Sequence, residues 1–191
     1  LNSKESKRFE AFFKALLRFE GGESNNAFDR GGLTKYGISF QFVKANKAKI
    51  EKVLGVKIKN IPIFIKQLSL KEAKTIYFRF FYIPSNSHLI LDNKIAYYHF
   101  DTAVNSGVTQ ANRLLQKALN HHGFKLKVDG VIGVKTLGAI NYELEDRFLF
   151  YLNHITTRSL FYTQIVIRNP KQLVFFKGWI KRAIKAYGAV K

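Results

Sequence analysis

Phe9, Phe12, Phe13, Leu16 and Leu17 recur at the three-and-four spacing of one helical face, and Ser3 or Ser6 ahead of them can cap that helix. Glu20 lies eleven residues beyond Phe9, about three turns, so it falls on the same apolar face before Gly21-Gly22 end the helix. Residues 23–38 lose the helical period and are rich in glycine, which predicts a small β-hairpin or turn-rich flap with Gly31-Gly32 at positive φ. Ser39 then caps a helix from Phe40 to about Asn46. A short helix over Ile50–Leu54 is stopped by Gly55, and Pro62 breaks the stretch beyond it. Ser69-Leu70-Lys71-Glu72 is a capping box that opens a helix with Ala73, Ile76, Tyr77, Phe80 and Phe81 on one face; it ends at Ile83, ahead of Pro84.

Beyond a connector at 85–92, the pattern predicts a helix over Asn93–Asn105. The next helix buries Ala111, Leu114, Leu115, Ala118 and Leu119, and a tight turn comes after it around Asp129-Gly130. A long helix spans roughly Glu143–Ile167, and Asn169-Pro170 opens a last one that runs to Tyr187. The reading is a predominantly α (α+β) fold, a helical body with a small β-hairpin near residues 23–38. Residues 1–191 form a single compact unit with lobes at 1–90 and 91–191.

Composition narrows the class. No apolar run approaches the roughly 18 residues of a membrane span. Cysteine is absent, which removes disulfides and thiolate metal sites. Methionine is absent too and the chain starts at Leu1, so it is expected to be a processed or cut product. Thirty-two basic against thirteen acidic residues leave a net charge of +19, which favours polyanionic partners. The lysines are spread along the whole chain with no basic run or arm, so specific nucleic-acid readout is not expected.

The candidate chemistry gathers in one stretch. Glu20 points at the protein body from the negative end of a helix, and both desolvation and the helix dipole disfavour its ionised form. A carboxyl group kept protonated in this way suits a general acid. Asp29, on a glycine-rich turn, either caps that turn or acts as an ionised partner. Thr34 either holds a water by its hydroxyl or completes the hairpin. Asp101 and Asn105 lie one helical turn apart and can face a groove together, Asn105 alternatively capping its helix beside Gly107. Tyr36, Tyr97 and Tyr98 are candidate stacking surfaces for a ligand, although most aromatic residues are expected in the core. Asp129 is assigned to structure. His121-His122 are adjacent and point apart, so no metal site is expected, and no nucleotide-binding loop is present.

The run Glu20-Gly21-Gly22…Asp29…Gly31-Gly32…Thr34…Tyr36-Gly37-Ile38 resembles the signature of glycoside hydrolase family 108, the N-acetylmuramidase-like proteins. Its acid–acid–threonine order is also similar to phage-type lysozymes. Glu23 stands where the family usually carries an aromatic residue. Phe100–Gly107, Leu115-Gln116 and Asp129–Thr136 resemble the peptidoglycan-binding module joined to such catalytic regions, and Gly178-Trp179…Arg182 is similar to its closing motif.

The resemblance implies a lysozyme-like fold, with a catalytic lobe at 1–90 and a peptidoglycan-binding lobe at 91–191. It implies hydrolysis of the MurNAc–GlcNAc β-1,4 bond without a cofactor, with Glu20, Asp29 and Thr34 catalytic and Tyr36, Tyr97, Asp101 and Asn105 at the substrate. The implied partners are peptidoglycan glycan strands and, through charge, anionic wall polymer, met by a monomer in the periplasm or cell wall. A lytic transglycosylase, which needs only one acid, and a binding protein without catalysis are the alternatives.

Overall fold

The polar–apolar stripes fold largely as their spacing requires. The computed structural model describes residues 3–19 and 33–190, and the chain divides into two compact units, Leu1–Phe80 and Phe81–Lys191.

In the first unit, helix α1 (Ser3–Phe19) buries Phe9, Phe12, Phe13 and Leu16, while Leu17 is half-buried. Strands β1 (Thr34–Lys35) and β2 (Ile38–Ser39) pair antiparallel, Thr34 opposite Ser39 and Lys35 opposite Ile38. The small sheet thus lies at the C-terminal end of the range expected for it. Helix α2 (Phe40–Leu54) absorbs both short helices of the sequence reading. Ser39 Oγ accepts from the Phe42 amide at its start, and Gly55 ends it in the left-handed region at φ 68°. The expected break survives as a kink at Asn46, whose side-chain amide donates to the Phe42 carbonyl.

Pro62 starts a helix where a break was expected. It sits in the first turn of α3 (Ile61–Gln67), where a missing N–H costs nothing, and Asn60 caps that turn by accepting from the Ile63 amide. Helix α4 (Leu70–Tyr77) has the full Ser69–Glu72 capping box, then opens into a π-helical turn over Phe78–Tyr82 ahead of Pro84.

The second unit is built on helix α5 (Asn93–Ser106), which is buried without interruption from Ile95 to Ala103. A helix covered on every face belongs at the centre of a bundle. Against it or one another pack α6 (Val108–His121), α8 (Arg147–Arg168) and α9 (Leu173–Ala186), with the short α7 (Val134–Gly138) before α8. All five stripe residues of α6 are buried. α8 starts later than expected because Asp146 caps it, accepting from the Leu149 amide. Asn169-Pro170 leads into a 3-10 turn before α9.

The Asp129 turn is structural: its carboxylate accepts from the Val131 amide and from Gln116, whose own side-chain oxygen accepts from the Gly130 amide. Gly130 has φ +83°, and a Cβ there would crowd Thr109 at 3.0 Å, so any larger residue is strained. Among the described residues no helix is long and apolar enough to cross a membrane.

Two buried histidines make this unit acid-sensitive. His99 Nε2 lies 3.0 Å from the Ser85 carbonyl oxygen, and burial pushes its pKa down to about 4. Burial also holds His154 well below the usual range, helped by the charges of His99 and Arg158. The unfolded chain takes up these protons near pH 6.5 and the folded one only well below that. Stability is therefore complete above about pH 6.5 and drains away as the pH falls towards 4. His99 alone accounts for roughly 2 kcal/mol by pH 5. Urea unfolding at pH 7.5 and pH 5, monitored through Trp179 of α9, is expected to show that loss, and a His99→Gln variant should flatten the difference. Equal stability at both pH values would contradict it.

Candidate active site

Glu20 and Asp29, with the segment 20–32 between α1 and β1, lie outside the described residues. The structure does describe both flanks of that segment, and they converge on one side chain. On the N-terminal side, α1 lies against α4: Phe9 meets Phe78 edge-on at 5.0 Å, Phe13 meets the Tyr77 ring at 5.7 Å, and Lys74 Nζ is 2.7 Å from the Glu10 carboxylate. That lysine, with burial opposing it, holds the Glu10 carboxyl below its ordinary value. On the C-terminal side, Tyr36 and Gly37 form a two-residue turn with φ 51° and 77°, both positive as a primed hairpin turn demands. The positive angles of the described hairpin thus fall at Tyr36-Gly37, the pair its register leaves unpaired between Lys35 and Ile38. Gly31-Gly32 lie outside the described residues.

Tyr77, only 1% exposed, donates its phenolic hydrogen to the Tyr36 carbonyl at 2.9 Å. One side chain of α4 therefore touches both α1 and the hairpin turn. Two further bonds steady the hairpin: the Phe40 amide donates to the Leu33 carbonyl at 3.0 Å, and Lys35 Nζ donates to the Lys66 carbonyl at 2.8 Å. Lys35 Nζ also lies 5.4 Å from the centre of the half-buried Tyr36 ring. Thr34 is half-buried in β1. Tyr77 is the residue that sequence reasoning misses here. The periodicity puts it on the buried stripe of α4, and nothing local in the sequence distinguishes a core tyrosine that also carries a hydrogen bond.

The other proposed sugar-binding residues lie in the second unit and are differently employed. Tyr97 is fully buried in α5 and offers no ring to a sugar. Asp101 does not face a groove either. It is fully buried, with Arg158 Nη2 at 2.8 Å from Oδ2 and Arg182 donating through Nε and Nη2 to Oδ1 at 2.9 and 2.8 Å. Burial alone would raise its pKa, but the Arg182 and Arg158 charges outweigh it and keep the carboxyl below its usual range. Arg158 is buried against the Tyr98 and Tyr162 rings, and although burial opposes its charge, Asp101 raises its pKa above the ordinary arginine value. Its Nε donates to Tyr162, whose hydroxyl donates to Asn105 Oδ1 at 2.5 Å. Asn105, itself half-buried, thus ends this polar chain, and Gly107 ends α5 by donating to the Ala103 carbonyl. Partners 57 and 81 residues away create this cluster. The helical period of α5 carries no sign of them.

Comparison with known proteins divides the chain at nearly the end of α5. The glycosyl hydrolase 108 model matches residues 13–107, and a predicted peptidoglycan domain matches residues 110–184. Glu20, Asp29, Thr34 and Tyr36 all fall inside the first match. Among solved structures, SagA of Brucella abortus superposes with a TM-score of 0.71 at 23% identity, over 96% of this chain and 93% of that one, so the two share a fold. No curated protein matches the chain.

Proposed function

Since this chain belongs to the glycosyl hydrolase 108 family and carries a peptidoglycan domain, we propose that it hydrolyses the β-1,4 bond between N-acetylmuramic acid and N-acetylglucosamine in peptidoglycan strands. The observation that carries this reading is the position of Glu20, Asp29 and Thr34 inside the matched region, with the helix before Glu20 and the hairpin that carries Thr34 both touched by Tyr77. The catalytic work is assigned to residues 1–90 and retention on the wall to residues 91–191.

Glu20 protonates the leaving glycosidic oxygen. Asp29, ionised, stabilises positive charge on the sugar ring or steers water to its opposite face, and Thr34 orients that water. Tyr36, half-buried on the hairpin turn two residues after Thr34, supplies an aromatic surface for a sugar ring. The site of action is the periplasm or cell wall, where the +19 charge concentrates the protein on anionic polymer.

Mass spectrometry of digested peptidoglycan tests the reaction. Fragments with a water-derived reducing end are the expected product. Anhydro-muramyl ends would instead assign a lytic transglycosylase, and no fragments at all a wall-binding protein without catalysis. Asp29→Asn is expected to reduce turnover on purified wall fragments by less than the corresponding Glu20 change, because its part is electrostatic and donates no proton. An Asp29 variant that unfolds, or that keeps full activity, would assign the residue to capping its turn.

Tyr77→Phe tests the hold on the hairpin flank. It preserves the ring against Phe13 and removes only the hydroxyl, so about 1 kcal/mol of stability is expected to go. Turnover of fully folded variant should fall about tenfold, since small displacements of reacting groups are expensive. Unchanged turnover would mean that the hairpin keeps its place without that bond.

A further inference from the structure

α6 and α8 leave a groove of about 370 Å³ along one side of the second unit. This is within the size range of small-ligand sites. On α6, Gln110, Leu114, Lys117 and His121 recur at the spacing of one face, and Thr157, Leu160, Phe161 and Gln164 do the same on α8. The polar groups differ in what they are already doing. The Asn120 side chain is spent on both the amide and the carbonyl of Leu126, and the Thr157 hydroxyl donates to the Asn153 carbonyl. Lys117, Gln110 and Gln164 make no hydrogen bond or ion pair among the described residues, and no carboxylate lines the groove. Leu160, at 52% exposure, supplies open apolar surface between them.

One unpaired ammonium, two uncommitted carboxamides and an apolar floor complement a particular ligand chemistry. The ligand needs an ionised carboxylate for Lys117, amide N–H and C=O groups for the two glutamines, and a small aliphatic side chain for Leu160. In peptidoglycan the glycan also offers amides and methyls through its N-acetyl groups, but where a stem is attached the ionised carboxylates belong to the peptide, so the unpaired Lys117 is what favours the stem. A sugar platform would call for an open aromatic face; of the two rings lining the groove, Phe161 is half-buried and the other is the small imidazole of His121. We infer that this groove binds the carboxylate-bearing peptide stem of peptidoglycan, so that the second unit reads the cross-linking peptide while the first acts on the sugar. The inference rests on the reading of the chain as a peptidoglycan-acting hydrolase.

The test is calorimetric binding of the full chain to three probes: a sugar-free acyl-alanyl-glutamyl stem peptide, the same peptide with its carboxyl groups amidated, and an N-acetylglucosamine oligomer. Lys117→Gln and Gln164→Ala change exposed side chains with no partners to lose, and Lys125→Gln removes an equal charge elsewhere in the unit. The acidic peptide is expected to bind. Its affinity should fall about tenfold in each groove variant, as loss of a charge-assisted or paired amide contact implies, with Lys125→Gln unaffected. The amidated peptide should bind wild-type protein about as weakly as the acidic peptide binds Lys117→Gln.

Absent peptide binding overturns the inference, as do equal losses from Lys117→Gln and Lys125→Gln, or an oligosaccharide whose binding is the one weakened by the groove changes. Cleavage of peptide-free glycan is measured in parallel. Peptide binding without glycan cleavage would sink the hydrolase reading and leave the groove standing, and the converse would do the reverse.

Discussion

A Glu20→Gln variant is expected to lose clearing of cell-wall suspensions by at least about a hundredfold while its thermal midpoint scarcely moves. The size comes from the contribution of a positioned general acid, typically about 10² to 10⁴ in rate, and glutamine cannot donate a proton to a leaving alkoxide. The near-constant midpoint has a separate cause. α1 is anchored by Phe9, Phe12, Phe13 and Leu16, all buried, and by the Lys74–Glu10 pair, none of which the substitution touches. The sequence puts the Glu20 carboxyl just past the negative end of a helix, where an ionised group would give the fold little, so its neutral isostere is expected to give up little. Turbidity and circular dichroism on the same preparation separate the two effects. Full activity would falsify the assignment of Glu20, and a collapse of the midpoint would make the residue structural.

The second large effect is one of stability. Asp101→Ala is expected to destabilise the protein by about 3–5 kcal/mol, the cost of leaving a buried charge without its counter-ion. Arg158 has no exposed surface on which to shed its charge, and neither Tyr98 nor Tyr162 beside it is an anion. Asp101 also holds Arg182, so replacing Asp101 and Arg158 together by apolar residues of similar size removes two of the three charges and should cost less than the single changes imply. A double variant Asp101→Leu with Arg158→Met is therefore expected to be more stable than the sum of its single changes predicts. Urea unfolding read through Trp179, which sits 5.3 Å from the Tyr162 ring, measures the cycle. A loss below about 1 kcal/mol for Asp101→Ala would mean that water reaches the cluster.

The sequence is legible wherever the decisive interaction is local. The Ser69–Glu72 box, the Ser39 cap and the Gly55 stop each depend on groups within four residues, and each forms as its chemistry implies. The stripe of α6 has the single periodicity of a half-buried helix and reads without ambiguity. Pro62 misleads because a proline reads as a stop until the cap before it is noticed; Asn60, two residues ahead, turns it into a start. α5 defeats the same reasoning for a different cause. With every face covered, its sequence has no polar side, and Asp101 passes for an outward carboxylate although its partners stand on α8 and α9. Of the candidate site, Thr34 and Tyr36 fall on the small hairpin, Glu20 and Asp29 rest on motif and chemistry alone, and Tyr77 requires three-dimensional contacts to be seen.

The Asp101 cluster also bears on where the chain can be cut. The two family matches meet at residues 107–110, an inviting point for detaching one module and grafting it elsewhere. Asp101 lies on the near side of that seam, and the two guanidiniums that neutralise it lie on the far side. A fragment beginning at 108 would inherit both arginines without the Asp101 carboxylate that neutralises them, and one ending at 107 would inherit that acid without either guanidinium. Portable pieces of this protein must therefore overlap, with α5 travelling together with the helices C-terminal to it. Inheritance by sequence module and independence in folding are set by different borders here.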